Sequence, residues 1–306
     1  MRLRRLRHGD AVGVAALSGP VDPEELARGC AALDGMGYRV RLASNVGLRS
    51  GTLSLSGSDA ERLTGYRELL LDPEVVAIVF ARGGYGATPL LPYVDPAELA
   101  AHPKIHCGYS DLTALAARLL ARCGLPSFHG PMVAADLARS LDPLSAAYFP
   151  AMLEGRGPSA LALPDADVLV PGNFDGRLVG GCLSLLAAAI GTGDEFPYDG
   201  SVLLLEDVGE EAYRIDRMLV TLRNAGRLAK LCGILIGSLS AITFGGAEDP
   251  PRLRALLTDR LAPLGIPVVA GVPAGHRGPN VTLPIGAHVA WDGGRRSLAF
   301  AEEIVA

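Results

Sequence analysis

The run Val75-Val76-Ala77-Ile78-Val79-Phe80 is unbroken, apolar and rich in β-branched residues, and it is short enough to be one strand rather than a helix. A strand with no polar side chain on either face has to be covered on both, which is the situation of a parallel sheet held between helical layers. Ala11-Val12-Gly13-Val14-Ala15-Ala16-Leu17 has the same character and stops at Ser18-Gly19-Pro20. Between such runs the period becomes helical. Asp22 and Pro23 supply a cap and a first-turn proline for a helix over Glu24 to Met36, and Gly37 ends it. Tyr38 to Ala43 resumes as a strand, Asp59 to Leu71 is helical, Ile105-His106-Cys107 is a strand end, and Asp111 to Cys123 is a helix. The alternation predicts an α/β first half with helices on both faces of a parallel sheet.

At 306 residues the chain exceeds one ordinary hydrophobic core, and a scale of about 150 residues per domain predicts two. Leu163-Pro164-Asp165-Ala166-Asp167 through Pro171-Gly172 has the punctuation of a connecting segment, so the boundary is expected between positions 150 and 175, with domains over 1–155 and 165–306. The second half reads as helices over Leu178 to Ile190 and Glu211 to Ala225. Strands are expected over Ser201 to Leu205, Cys232 to Ser238 and Val268 to Val272, and around Val289 and Leu298. That pattern suits a smaller mixed α/β domain, barrel-like or swivelling in form.

Composition excludes several classes of function. Hydrophobic residues at 49% and charged residues at 20% leave no case for disorder. The net charge of −5 is spread along the chain, so there is no footprint for nucleic acid. The longest helix-like apolar stretch, Leu178 to Ile190, is shorter than the roughly 20 residues of a membrane span. The basic opening Met1 to Arg7 leads into a strand containing Asp10 at its start rather than into a signal core. Cys30, Cys107, Cys123, Cys182 and Cys232 are odd in number and form no C-x-x-C pair, which argues against a disulfide framework and a zinc site. A cytoplasmic protein that does not engage membranes is expected.

Four segments could carry chemistry. In Ile105-His106-Cys107-Gly108-Tyr109-Ser110-Asp111-Leu112, a strand meets Gly-x-Ser and then a helix, the arrangement that exposes a nucleophilic serine beside helix N–H groups. Leu112 stands where the full elbow has a second glycine, and Ser or Asp here could simply cap the helix. Arg82-Gly83-Gly84-Tyr85-Gly86 follows the strongest strand, and its glycines allow close approach of backbone N–H groups to an anion. It matches neither a P-loop nor G-x-G-x-x-G. Arg82 could bind a carboxylate or form a surface ion pair. Ser201 to Leu205 is a buried strand ending in Glu206-Asp207, where a carboxylate can orient a histidine or pair with Arg214 or Arg217. In Val268 to His276 a strand runs into a Pro/Gly loop that delivers a histidine able to shuttle a proton.

Together with Phe128-His129-Gly130-Pro131-Met132 and Tyr213-Arg214-Ile215-Asp216-Arg217-Met218-Leu219, these segments resemble, in order, the serine LD-carboxypeptidase family of murein tetrapeptide carboxypeptidases and microcin immunity peptidases. The resemblance implies Ser110 as nucleophile, Glu206 as the residue that orients the base and His276 as the base. It also implies a Rossmann-like N-terminal domain facing a C-terminal domain across a cleft, a homodimer, and hydrolysis with no metal or cofactor. The expected oxyanion donors are the backbone N–H groups of Asp111 and Gly84, with Arg82, Gly83 and Tyr85 binding substrate. The expected substrate is a murein stem tetrapeptide, cut between L-Lys or diaminopimelate and D-Ala in cell-wall recycling. A peptidyl-nucleotide antibiotic is the alternative within the family, and a non-catalytic nucleotide- or sugar-binding module is the alternative outside it. Cys182 departs from the family, in which asparagine is expected at that position; packing is the expected role of the thiol.

Overall fold

The computed structural model describes residues 2–306. In chain order the strands are β1 (Ala11–Ala15), β2 (Arg39–Leu42), β3 (Val75–Phe80), β4 (Ile105–Cys107), β5 (Ser127–His129), β6 (Ala160–Ala162), β7 (Asp167–Val170), β8 (Phe174–Cys182), β9 (Ser201–Val208), β10 (Gly233–Ser240), β11 (Val268–Ala270), β12 (Leu283–Ile285), β13 (His288–Asp292) and β14 (Ser297–Phe300). The helices are α1 (Pro23–Gly35), α2 (Asp59–Leu71), α3 (Ala87–Leu90), α4 (Pro96–Ala101), α5 (Thr113–Cys123), α6 (Pro143–Leu153), α7 (Leu183–Ala188), α8 (Ala212–Asn224) and α9 (Pro250–Leu261).

The local rules behind these elements are visible. Every residue of β1 and β3 is buried, as expected for strands covered on both faces. Asp22 caps α1 by accepting from Glu24 and Glu25 N–H, and Ser58 with Glu61 forms a reciprocal capping box on α2.

Six strands form the first sheet in the order β12-β5-β4-β3-β1-β2, parallel from β5 to β2. The chain leaves β1 for β2 on one side and then crosses to β3 on the other, so a topological switch point lies between β1 and β3. Ligands of doubly wound sheets gather beyond the carboxyl ends of strands at such a point. The sixth strand, β12, comes from the far end of the chain and pairs antiparallel with β5, Leu283 opposite His129.

The second sheet has the order β6-β14-β13-β8-β9-β10-β11-β7, parallel from β8 to β11 and antiparallel outside that core. Its eight strands exceed the six of the first, so it is not the smaller sheet. The segment read as a connection supplies β7, one edge of this sheet, and β6 at the other edge immediately precedes it.

One expectation is overturned. Leu178 to Ile190 is not one helix: Leu178–Cys182 is the end of β8, and α7 begins at Leu183. Gly180 and Gly181 adopt φ of 115° and 144°, a conformation foreign to a helix, and the residues pair with Leu204 and Leu205 of β9. Sheet pairing on both sides of β8 outweighs the local apolar pattern.

Arg62 of α2 is wholly buried beneath the switch point. Its Nη1 donates to Leu17 O and to Gly86 O (2.5 Å), and its Nη2 donates to Asp59 Oδ1 (2.6 Å). The guanidinium thus ties the loop after β1 to the glycine loop after β3. Arg62→Leu is expected to destabilise the fold by about 3 kcal/mol, because two buried carbonyls lose their donor. Calorimetry should show a fall in Tm of roughly 5–10 °C; an unchanged Tm would contradict this role.

Candidate active site

Ser110 lies in the turn between β4 and α5 with φ of 61°, in the left-handed region that a serine enters only at a cost of about 1–3 kcal/mol. The turn is imposed from outside. Asp111, which is buried, accepts a hydrogen bond from Ser18 Oγ (2.5 Å) and another from Ala87 N–H (2.7 Å), linking the loops after β1, β3 and β4. Burial pushes the Asp111 carboxyl up, and those two donors oppose the shift. Gly108 has Phe80 against it, leaving little room for a side chain.

The glycine loop meets the serine directly. A methyl group on Gly83 would stand 2.8 Å from Ser110 Cβ and 3.0 Å from its Oγ, so only glycine fits there. Gly84 and Gly86 adopt φ of 117° and 137°, and Gly19 N–H donates to Gly83 O (3.2 Å). Tyr85 is 51% exposed. Arg82 is exposed, donates to Pro20 O (3.2 Å) and has no carboxylate partner among the described residues, so the ion-pair reading of this residue lapses.

Glu206 is on β9, wholly buried, and its Oε2 accepts from His276 Nδ1 at 2.7 Å. This pairing displaces the alternative in which Glu206 serves Arg214 or Arg217; Arg214 instead reaches Glu210. Strand alternation turns Asp207 the other way, where it accepts from Ser184 N–H at the start of α7 and from Val208 N–H. Burial pushes the Glu206 carboxyl up, with the imidazole opposing. For His276, burial alone would pull the imidazole down, but the hydrogen bond and charge of Glu206, joined by Asp207 and Asp136, leave it above the usual histidine value. With Nδ1 committed to Glu206, Nε2 is the nitrogen left for a substrate or nucleophile.

Tyr109 joins the two halves of the chain. Its ring stands edge-on to His276, centroids 5.0 Å apart at 68°, so the residue next to Ser110 touches the imidazole from the second half. Its hydroxyl donates to Asp136 (3.3 Å), whose other oxygen accepts from Met132 N–H (2.8 Å). A further tie is Thr113, one turn beyond Ser110, whose Oγ1 accepts from Cys182 N–H (3.1 Å); Cys182 is the register partner of Glu206. The Cys182 thiol is buried 3.2 Å from Ser184 Oγ, and burial pushes it well up.

Ser18, Arg62, Thr113, Asp136 and Asn280 were not singled out from sequence. Each is tied to a residue more than a dozen positions away, a contact that no local sequence signal records. Among the described residues no three His, Cys, Asp or Glu side chains come together as a metal site, and no helix is long and apolar enough to cross a membrane.

Comparison with known proteins bears on this arrangement. Residues 12–130 match the model of the LD-carboxypeptidase N-terminal domain, and residues 175–290 match that of the C-terminal domain. A relative from Bacillus subtilis named "probable murein peptide carboxypeptidase" is 36% identical over 94% of this chain and 90% of its own length. The crystal structure of a muramoyltetrapeptide carboxypeptidase from Oxalobacter formigenes superposes with TM-score 0.83 at 29% identity, covering 95% of this chain and 99% of that one. That of the microcin C7 self-immunity protein without ligand superposes with TM-score 0.92 at 25% identity over the whole of both chains. With both of its domain models matched in order and a relative this similar over nearly its full length, the chain belongs to the LD-carboxypeptidase family and is a carboxypeptidase.

Proposed function

We propose that the enzyme is a serine carboxypeptidase that removes the terminal D-Ala from murein stem tetrapeptides, cutting after L-Lys or diaminopimelate. The observation that supports this most is the meeting of a strained Ser110 turn, through Tyr109, with a His276–Glu206 pair at 2.7 Å.

In this reading His276 Nε2 takes the Ser110 proton as Oγ attacks the peptide carbonyl, and Glu206 holds the tautomer and favours the imidazolium. The proton passes to the leaving amine of D-Ala. Water, deprotonated by His276, then attacks the acyl-enzyme and releases the shortened peptide. The oxyanion is met by N–H groups of Asp111 and Gly84, while Gly83 supplies the clearance beside Oγ. Arg82, exposed and without an acidic partner, suits the terminal carboxylate, with Tyr85 beside it. No step calls on a cofactor.

A cytoplasmic, homodimeric enzyme completes the proposal. Five unpaired cysteines accord with a reducing compartment, and analytical ultracentrifugation decides the dimer. The second reading, cleavage of a peptidyl-nucleotide antibiotic, is favoured by the likeness to the microcin C7 self-immunity protein. A non-catalytic module does not account for strain at Ser110 when the ring of the preceding Tyr109 packs on an oriented histidine.

The deciding assay offers purified protein two tetrapeptides ending in D-Ala, one with L-Lys and one with diaminopimelate at the third position, and an aminoacyl sulfamoyl nucleotide. D-Ala release is expected with kcat/KM at least about tenfold above that for the nucleotide, a difference of about 1.4 kcal/mol in transition-state binding. A reversed preference would replace the murein reading with the antibiotic one.

A further inference from the structure

His276 is delivered by the segment between β11 and β12, and the backbone of that segment is anchored at few points. Ser238 N–H donates to Ala274 O (2.7 Å), and Val281 N–H donates to Pro273 O (2.8 Å). The residue immediately before the histidine, Gly275, has its N–H held by one side chain, the amide oxygen of Asn280 at 3.1 Å. Gly275 adopts φ of 119°, and a methyl group there would stand 2.8 Å from Glu206 Oε2. The backbone therefore passes so close to the carboxylate that no side chain fits there, and the orientation of the Gly275 peptide sets the direction in which His276 leaves the loop.

Asn280 is itself fixed by the first half of the chain. It is 4% exposed, and its backbone N–H donates to Ser145 Oγ (2.8 Å). Ser145 in turn donates to Asp142, the cap of α6, at 2.5 Å. The Asn280 amide also lies against His129 at the end of β5, whose imidazole burial pulls down to about 3, so that ring is neutral. Neither Asn280 Nδ2 nor His129 Nε2 has a hydrogen-bond partner of normal geometry. The groups facing His276 are Glu206, Asp207, Asp136 and Tyr109, together with His129, so the amide adds a backbone anchor to this site without adding charge.

We infer that Asn280 is a positioning residue for catalysis: its amide oxygen locks the Gly275 peptide so that His276 leaves the loop with Nδ1 on Glu206 and Nε2 available for proton transfer. The lock also runs between halves, since the α6 cap and Ser145 hold Asn280 while Asn280 holds the histidine loop. This rests on the triad reading above for its kinetic consequence, but not for its structural one.

The test uses the full-length protein. Asn280→Ala is expected to lower kcat for tetrapeptide hydrolysis by about 30-fold, with KM within about twofold, since misplacing a proton-transfer group by about 1 Å costs on that scale. The low-field proton resonance of His276 Nδ1–H bonded to Glu206, recorded without substrate, should broaden or disappear. Asn280→Asp keeps an acceptor for Gly275 N–H and should restore that resonance and about a third of kcat. A sharp resonance and kcat within about threefold of the parent in Asn280→Ala would overturn the inference. A rise in KM alone with the resonance intact would also do so, because it would make Asn280 a substrate contact. Should Asn280→Ala fail to fold by circular dichroism, Ser145→Ala, which frees the Asn280 main chain and removes the Ser145 hydroxyl bond to Asp142, is read for the same broadening, and an unaltered resonance there counts against the inference. If the parent enzyme hydrolyses no tetrapeptide, the substrate reading fails while the resonance still decides the role of Asn280.

Discussion

Ser110→Ala is expected to lower kcat for D-Ala release by about four to six orders of magnitude, leaving only the residual catalysis of the oxyanion donors and substrate binding. Because the triad works as a unit, a second substitution at His276 should cost little more once Ser110 is gone. The stability of the variant should barely change, since alanine inherits the same backbone strain at φ of 61°. Ser110→Gly, by contrast, removes the strain with the nucleophile. It should be equally inactive yet more stable by about 1 kcal/mol, because glycine occupies the left-handed region without a Cβ penalty. Single-turnover release of D-Ala and thermal melting of the three proteins measure both effects. Activity of Ser110→Ala near that of the parent would remove the serine from the mechanism.

Glu206→Gln has the next largest expected effect. The glutamine keeps the size of the buried side chain but offers Nδ1 an amide in place of a carboxylate, so the wrong tautomer of His276 becomes accessible and the imidazolium loses its counter-charge. A loss of about 10³–10⁴ in kcat is expected, on the scale seen when the orienting carboxylate of such a triad is neutralised. The pH profile carries the second signature. His276 acts as a base only when neutral, and its pKa is raised chiefly by Glu206 against the pull of burial. The acid limb of kcat/KM in the parent should therefore lie above the ordinary histidine value and reach its plateau as pH rises through it. In Glu206→Gln the chief raising influence is gone, leaving only Asp207 and Asp136, so the limb moves to lower pH while the plateau falls. A plateau that drops with the limb unmoved would mean that Glu206 does not set the imidazole's charge.

How much could be seen in the sequence depended on the range of the interaction that fixes each feature. β1 and β3 were legible because strands buried on both faces write their burial into consecutive residues. Ser110 and His276 were legible as candidates because each follows a strand into a loop or helix, and Glu206 because a carboxylate interrupts the apolar run of β9, which continues to Val208. Leu178 to Cys182 misled because an apolar run carries no record of its partners, and β9 and β13 on either side made it a strand. β6, β7 and β12 are three or four residues long and exist by pairing alone. The same holds for the site. Asn280 looks like any polar loop residue until Gly275 and Ser145 are placed beside it from the two halves, and Arg62 looks like a surface cation until Leu17 and Gly86 close over it.

The strand β12 has a consequence for how substrate gets in. It belongs to the part of the chain that carries the histidine, yet it is stitched along the border of the sheet that carries the serine, through Leu283, Pro284 and Ile285 against His129, Phe128 and Ser127. The two sheets therefore cannot yawn apart like the shells of a clam without unzipping that seam. Admission of a peptide falls to the rim of the site instead, where Tyr85 faces outward from a glycine loop that Arg62 and Asp111 hold in place.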